Sequence, residues 1–158
     1  MNFPILTSLI LLPIIGAIFI LISKSSDKHG FNSSKYVALF VSCVNFFISI
    51  YLWYVFDPSS AEFQFVESRS WLKGVINYKV GIDGISILFI LLSTFIAPLC
   101  IISVNRTINV KLKDFLIAIL VMESLMIGVF CSLDLVVFYL FFEGGLIPMF
   151  LIIGIWGG

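Results

Sequence analysis

Two carboxylates, Glu123 and Glu143, stand inside long apolar runs of this chain. A carboxyl left charged at the centre of a bilayer costs at least ~2.5–3.5 kcal/mol on insertion scales, so such a group faces protein or water and is a candidate for proton exchange. Counted from a turn near Ser132, the two lie about 13 Å and 16 Å deep at the helical rise of 1.5 Å per residue. Matched depth on adjacent antiparallel helices predicts a facing pair within one water-bridged distance, a coupled couple able to trade protons near neutral pH. The competing reading for each is a neutral hydrogen-bond donor between helices that only fixes packing.

The run Phe141-Phe142-Glu143-Gly144-Gly145-Leu146-Ile147-Pro148-Met149 adds to the case for Glu143. Pro148 has no N–H for the carbonyl of Gly144, so one backbone acceptor beside the carboxyl is freed. Gly144 and Gly145 predict close backbone approach and a bend that a polar partner could reach. A kink used only for packing explains the same residues. Asp83, in Gly81-Ile82-Asp83-Gly84-Ile85-Ser86, and Asp134, with Ser132, precede apolar runs, where their oxygens can cap free helix N–H groups. Ion entry is the other role open to Asp83 and Asp134.

The elements that must position these groups follow from length. A helix crossing a ~30 Å hydrocarbon core needs about 20 apolar residues with every backbone polar group satisfied internally. Five stretches qualify, approximately 3–22, 36–56, 85–104, 115–131 and 135–156, with an extramembrane connection at 57–84. Within that connection Phe63 to Val66 partly alternate and predict a short strand. The 158 residues are 61% apolar and 11% charged, with nine basic and nine acidic side chains and one histidine, and the mean hydropathy is +1.18. That balance excludes a soluble domain, a disordered chain and a nucleic-acid binder. The fold class expected is therefore an all-α integral membrane protein.

Orientation follows from the basic residues. Lys24, Lys28, Lys35, Arg106, Lys111 and Lys113 flank one side; Arg69, Lys73 and Lys79 lie on the other, among Asp57, Glu62, Glu67 and Asp83. The positive-inside rule puts the N-terminus outside. Met1-Asn2-Phe3-Pro4 lacks the charged start of a secretory signal, so the first span reads as retained. Cys43, Cys100, Cys131 and His29 have no metal-site, haem or disulfide spacing. No GxGxxG, GxxxxGK[ST] or CxxC is present, so no cofactor is expected in this chain and any redox chemistry belongs to partners. No Lys or His lies within an apolar run, and a full proton path is not visible.

Leu125-Met126-Ile127-Gly128-Val129-Phe130, Leu133-Asp134-Leu135, Phe138-Tyr139, Phe142-Glu143, Leu146-Ile147-Pro148-Met149-Phe150 and Ile153-Gly154-Ile155-Trp156-Gly157, together with Gly81 to Ser86, carry a resemblance. The chain resembles the chain M (subunit 4) family of respiratory complex I over essentially its whole length. The resemblance implies an antiporter-like membrane subunit of the proton-pumping NADH:quinone oxidoreductase. It implies Glu143 as the fifth-helix proton-pathway glutamate, and Glu123 as a fourth-helix glutamate found in some members. It further implies the N-terminal part of a subunit of about fourteen helices, whose partner lysines lie beyond Gly158. NADH, FMN, iron–sulfur clusters and quinone would belong to partner subunits; other complex I membrane subunits and the lipid bilayer would be the partners, and protons the transported ion. A bacterial cell membrane is favoured over the mitochondrial inner membrane. Two other classes stay open: a cation/proton antiporter subunit, and a truncated structural segment that does not pump.

Overall fold

The computed structural model describes residues 3–23, 33–104 and 111–157. Five helices are long and apolar enough to cross a membrane among these residues: α1 (Ile5–Ile22), α2 (Ser33–Val55), α3 (Ser86–Ser103), α4 (Leu112–Cys131) and α5 (Leu135–Trp156). Their ends lie within three residues of the expected stretches, and α2 and α4 each start three residues earlier than expected. Lys111, with φ of 50°, turns the chain into α4, and Lys113 and Asp114 occupy its first turn. The expected 115–131 span stopped at those charges; in the fold they extend the helix at its polar end, where charged side chains reach the interface. Lys24, Lys28 and Arg106 of the topology argument, and His29, lie outside the described residues.

The connection after α2 is more regular than the short strand expected there. β1 (Gln64–Trp71) pairs antiparallel with β2 (Ile76–Ile82), with an irregularity between Gln64 and Glu67 where Phe65 takes a φ of 54°. The tip, Leu72–Gly74, turns through positive φ at Leu72, Lys73 and Gly74. Alternation was readable only over Phe63–Val66; the remainder is held by ladder pairing with residues nearer α3, a partner that local sequence does not announce. The hairpin covers one end of the bundle: Val80 bridges to Ser132, and Leu133 N–H donates to the Lys79 carbonyl.

α4 is the central helix, packed on α1, α2, α3 and α5. Helices surrounded by lipid associate through close packing and interhelical hydrogen bonds rather than through the hydrophobic effect. Two apolar clusters satisfy the first requirement. One lies toward the hairpin and includes Leu6, Leu9, Leu52, Ile87, Ile90 and Ile127; the other lies toward the opposite end, with Ala17, Ile20, Ala38, Ile101, Leu116 and Leu120. Between them runs a buried polar layer of Ser42, Asn45, Ser49, Thr94, Glu123 and Ser124. At the end away from the hairpin, Lys113 Nζ donates to the Leu21 and Ser23 carbonyls, placing a cation on the negative C-terminal end of α1.

Candidate functional site

The polar layer contains the one sequence-predicted carboxyl that this chain buries. Glu123 is 3% exposed, and its Oε1 accepts a hydrogen bond from Asn45 Nδ2 on α2 at 3.1 Å. Glu123 Oε2 and Asn45 Oδ1 are buried with no hydrogen-bond partner among the described residues. One turn along α2, Ser49 Oγ lies 2.7 Å from Thr94 Oγ1 of α3. Ser124, beside Glu123, donates from its hydroxyl to the Ile10 carbonyl of α1. α1 and α2 are thus tied to α3 and α4 at one depth. On its other side Glu123 borders an apolar groove between α3 and α4, lined also by Ser93, Cys100, Met122 and Met126.

Glu143 is placed differently. It is exposed on α5, whose buried residues are Val137 and Pro148. The contacts across α4 and α5 explain why the expected carboxyl pair does not form within this chain. Gly128 faces the Phe141 ring and Gly144 faces Leu125. At about 100° per residue, Glu123 points roughly 140–160° away from Leu125 and Gly128, and Glu143 roughly 130° from the Val137, Phe141, Gly144, Pro148 stripe. Depth was legible from residue counting, whereas azimuth depended on which stripe of each helix carried the interface. The two carboxyls therefore face apart, Glu123 into the bundle and Glu143 onto its surface.

The glycines also exchange roles. Gly145 has open space where a Cβ would be and Gly144 only an ordinary van der Waals neighbour, so neither makes the close approach expected of it. That approach is made by Gly128, where a Cβ would fall 2.6 Å from the Phe141 ring. Pro148 is accommodated in a continuous α5, with no N–H to offer the Gly144 carbonyl.

Outside the spans, Asp83 Oδ1 accepts from Ile85 N–H (3.1 Å), Ser86 N–H (2.7 Å) and Ser86 Oγ (2.7 Å). The Ser86 N–H and hydroxyl, opposed by slight burial and joined by the Ile85 N–H, hold this carboxyl below its ordinary value. Asp134 Oδ1 caps α5 through Val136 and Val137 N–H. Ser132 does not share that cap: its N–H and hydroxyl both bond back to the Gly128 carbonyl and close α4. A serine hydroxyl reaches a carbonyl four residues earlier without leaving its own helix, so the local acceptor prevails.

Asn45 was missed by reading charged residues alone. Its signal was present in the spacing of Ser34, Ala38, Ser42, Asn45, Ser49 and Leu52, a stripe of small and polar residues along one face of a membrane helix, which marks a helix–helix interface. Glu67, which the charge count places only among the acidic residues of the connection, caps α1 from the hairpin.

No protein-family model matches the chain. Among individual proteins, NADH-quinone oxidoreductase subunit M of Rhodobacter capsulatus is 52% identical over 143 residues, covering 90% of this chain and 28% of the relative. NADH-ubiquinone oxidoreductase chain 4 of Marchantia polymorpha is 43% identical over 153 residues, covering 96% of this chain and 30% of the relative. Among solved structures, respiratory complex I from Thermus thermophilus with bound NADH has a chain that superposes with a TM-score of 0.75 at 26% identity, over 95% of this chain and 29% of that one. The membrane-bound sulfane sulfur reductase, an archaeal respiratory membrane complex, shares the fold with a TM-score of 0.71 at 19% identity, over 92% of this chain and 22% of that one. The chain spans about three-tenths of the length of the curated relatives it matches. Over the part it spans, this multi-pass membrane protein belongs to the subunit M and chain 4 family of the NADH-quinone oxidoreductases.

Proposed function

We propose that the chain forms part of an antiporter-like membrane subunit that takes part in proton translocation coupled to NADH oxidation and quinone reduction. The observation that carries this reading is a buried ionisable side chain, Glu123, hydrogen-bonded across two membrane helices, in a chain 52% identical to an oxidoreductase subunit over 143 residues. A carboxyl is kept at such depth, against its cost, where it binds or relays protons. Glu143 is the second proton-pathway group. Its exposed position on α5 supports a role toward a neighbouring helix or subunit rather than toward Glu123. Asp83 and Asp134 serve as helix caps, and Gly144, Gly145 and Pro148 shape α5 around Glu143.

The partners in this reading are other membrane subunits of the same complex and the lipid bilayer. NADH, FMN, iron–sulfur clusters and quinone are bound by those other subunits, and this chain carries no redox step. Its place is the bacterial cell membrane, with the N-terminus and the hairpin outside. Substitution in the full-length protein tests the reading. In membranes with a fully assembled complex, Glu143→Gln abolishes or severely reduces proton pumping and coupled quinone reduction, Glu143→Asp keeps part of both, and Glu123→Gln is milder. Wild-type pumping by an assembled Glu143→Gln complex would leave Glu143 as a packing residue.

A further inference from the structure

The Asn45–Glu123 contact has a hydrogen-bond inventory that does not balance with an ionised carboxyl. Asn45 Nδ2 donates to Glu123 Oε1, which leaves Glu123 Oε2 and Asn45 Oδ1, both acceptors, buried without partners. An amide offers donors and an acceptor, a carboxylate offers acceptors alone, and a carboxylic acid offers one donor as well. We propose that Glu123 carries its proton on Oε2 and donates it to Asn45 Oδ1, closing a reciprocal acid–amide pair between α4 and α2 in which Asn45 is the positioning residue for that proton.

Uptake of one proton forms the Oε2–H bond and release breaks it; no electron moves. With the proton present, two interhelical hydrogen bonds satisfy all four facing atoms. Without it, two buried oxygens are left with lone pairs and no donor, an arrangement that proteins avoid. Loss of the proton is therefore tied to a rearrangement of the Asn45 amide and of the α2–α4 contact.

The surroundings provide little that could replace this partner. α1 has no titratable side chain between Ile5 and Ile22. α2 adds Lys35 and Tyr36 in its first turn, the half-buried Cys43 and the exposed Tyr51 and Tyr54, α3 adds Cys100 on the groove wall, and on α5 Glu143 and Tyr139 are both exposed. In β2, Tyr78 and Lys79 belong to the hairpin outside the spans. The functional meaning of the pair rests on the proton-translocation reading, but its existence does not, and the test separates them.

Infrared difference spectroscopy on membranes carrying the full-length protein reads the carboxyl directly. A carboxylic-acid C=O band is expected that disappears in Glu123→Gln and moves to higher frequency in Asn45→Leu, which removes both hydrogen bonds. Should Asn45→Leu fail to assemble, Asn45→Asp keeps the shape and is expected to alter the band by creating an acid–acid pair. Absence of any Glu123-dependent acid band, or a band at the wild-type position in the Asn45 variant that assembles, overturns the proposal. If the band behaves as expected while Glu123→Gln pumps at the wild-type rate, the pair stands and only the pumping role of Glu123 falls.

Discussion

Glu67 Oε1 accepts a 2.6 Å hydrogen bond from Thr7 Oγ1, joining a strand outside the membrane to the first turn of α1. Glu67 Oε2 at the same time accepts from the backbone N–H of Leu6 (2.9 Å) and Thr7 (3.3 Å). Pro4, at the N-cap position, makes no side-chain cap hydrogen bond, so a carboxylate from 60 residues away serves a helix end that its own sequence leaves open. Tyr78 OH, 3.0 Å from Thr7 Oγ1, completes the junction. Burial pushes the Tyr78 phenol up from its ordinary value, partly opposed by the Thr7 hydroxyl.

Glu67→Ala is expected to free the start of α1 from the hairpin. Two backbone donors lose their acceptor, a loss of roughly 1–2 kcal/mol by the usual worth of a helix cap. Amide hydrogen exchange checks this: exchange at Leu6 and Thr7 accelerates in Glu67→Ala and does so less in Glu67→Gln. Unchanged exchange at both amides would show that the cap adds nothing.

Asp83 makes the start of α3 sensitive to acid. Its folded carboxyl is held below the ordinary value by the Ser86 and Ile85 donors, so its contribution is complete above about pH 4, the unfolded carboxylate value. It is lost as the pH falls through the lowered folded value. Asp83→Ala removes about 1 kcal/mol at neutral pH, whereas Asp83→Asn keeps most of the cap. The expected result is a wild-type advantage over Asp83→Ala in thermal unfolding in detergent that shrinks in strong acid. A constant advantage at all pH values contradicts the assignment.

Gly128 and Phe141 set the spacing of α4 and α5. Because a Cβ at Gly128 would meet the ring at 2.6 Å, Gly128→Val is expected to destabilise the hairpin of α4 and α5 by about 1–3 kcal/mol, the usual penalty of overpacking. Phe141→Ala in the same chain should recover part of the loss, and a double-mutant cycle on unfolding measures the coupling. Additive effects would mean that the two residues do not share the contact.

Topology is checked by cysteine labelling from either side of the membrane. Glu67 joins the hairpin to the start of α1, and Lys113 lies at the end of α1 away from it. A cysteine at position 69 should therefore react from the side opposite to one at position 111. The basic residues near Lys28 and Lys111 predict that the second is inside. Labelling of both positions from one side rules the arrangement out.

How much of this was present in the chain before folding can be seen residue by residue. Hydropathy and length determined five helices and the depth of Glu123 and Glu143, because lipid leaves the backbone few alternatives and depth is a count of residues from a turn. Asp83 and Asp134 were legible as caps, since they bond N–H groups two or three residues away. Tertiary structure alone decided azimuth and partner choice. It turned Glu123 toward Asn45 and away from α5, left Glu143 exposed, gave the close approach to Gly128 instead of Gly144 and Gly145, and brought Glu67 to α1. The physical reason is that α4 and α5, unlike α2 with its stripe of small and polar residues, show no continuous polar face to mark their inner side. Their rotation is settled only by which small and polar side chains find one another across helices.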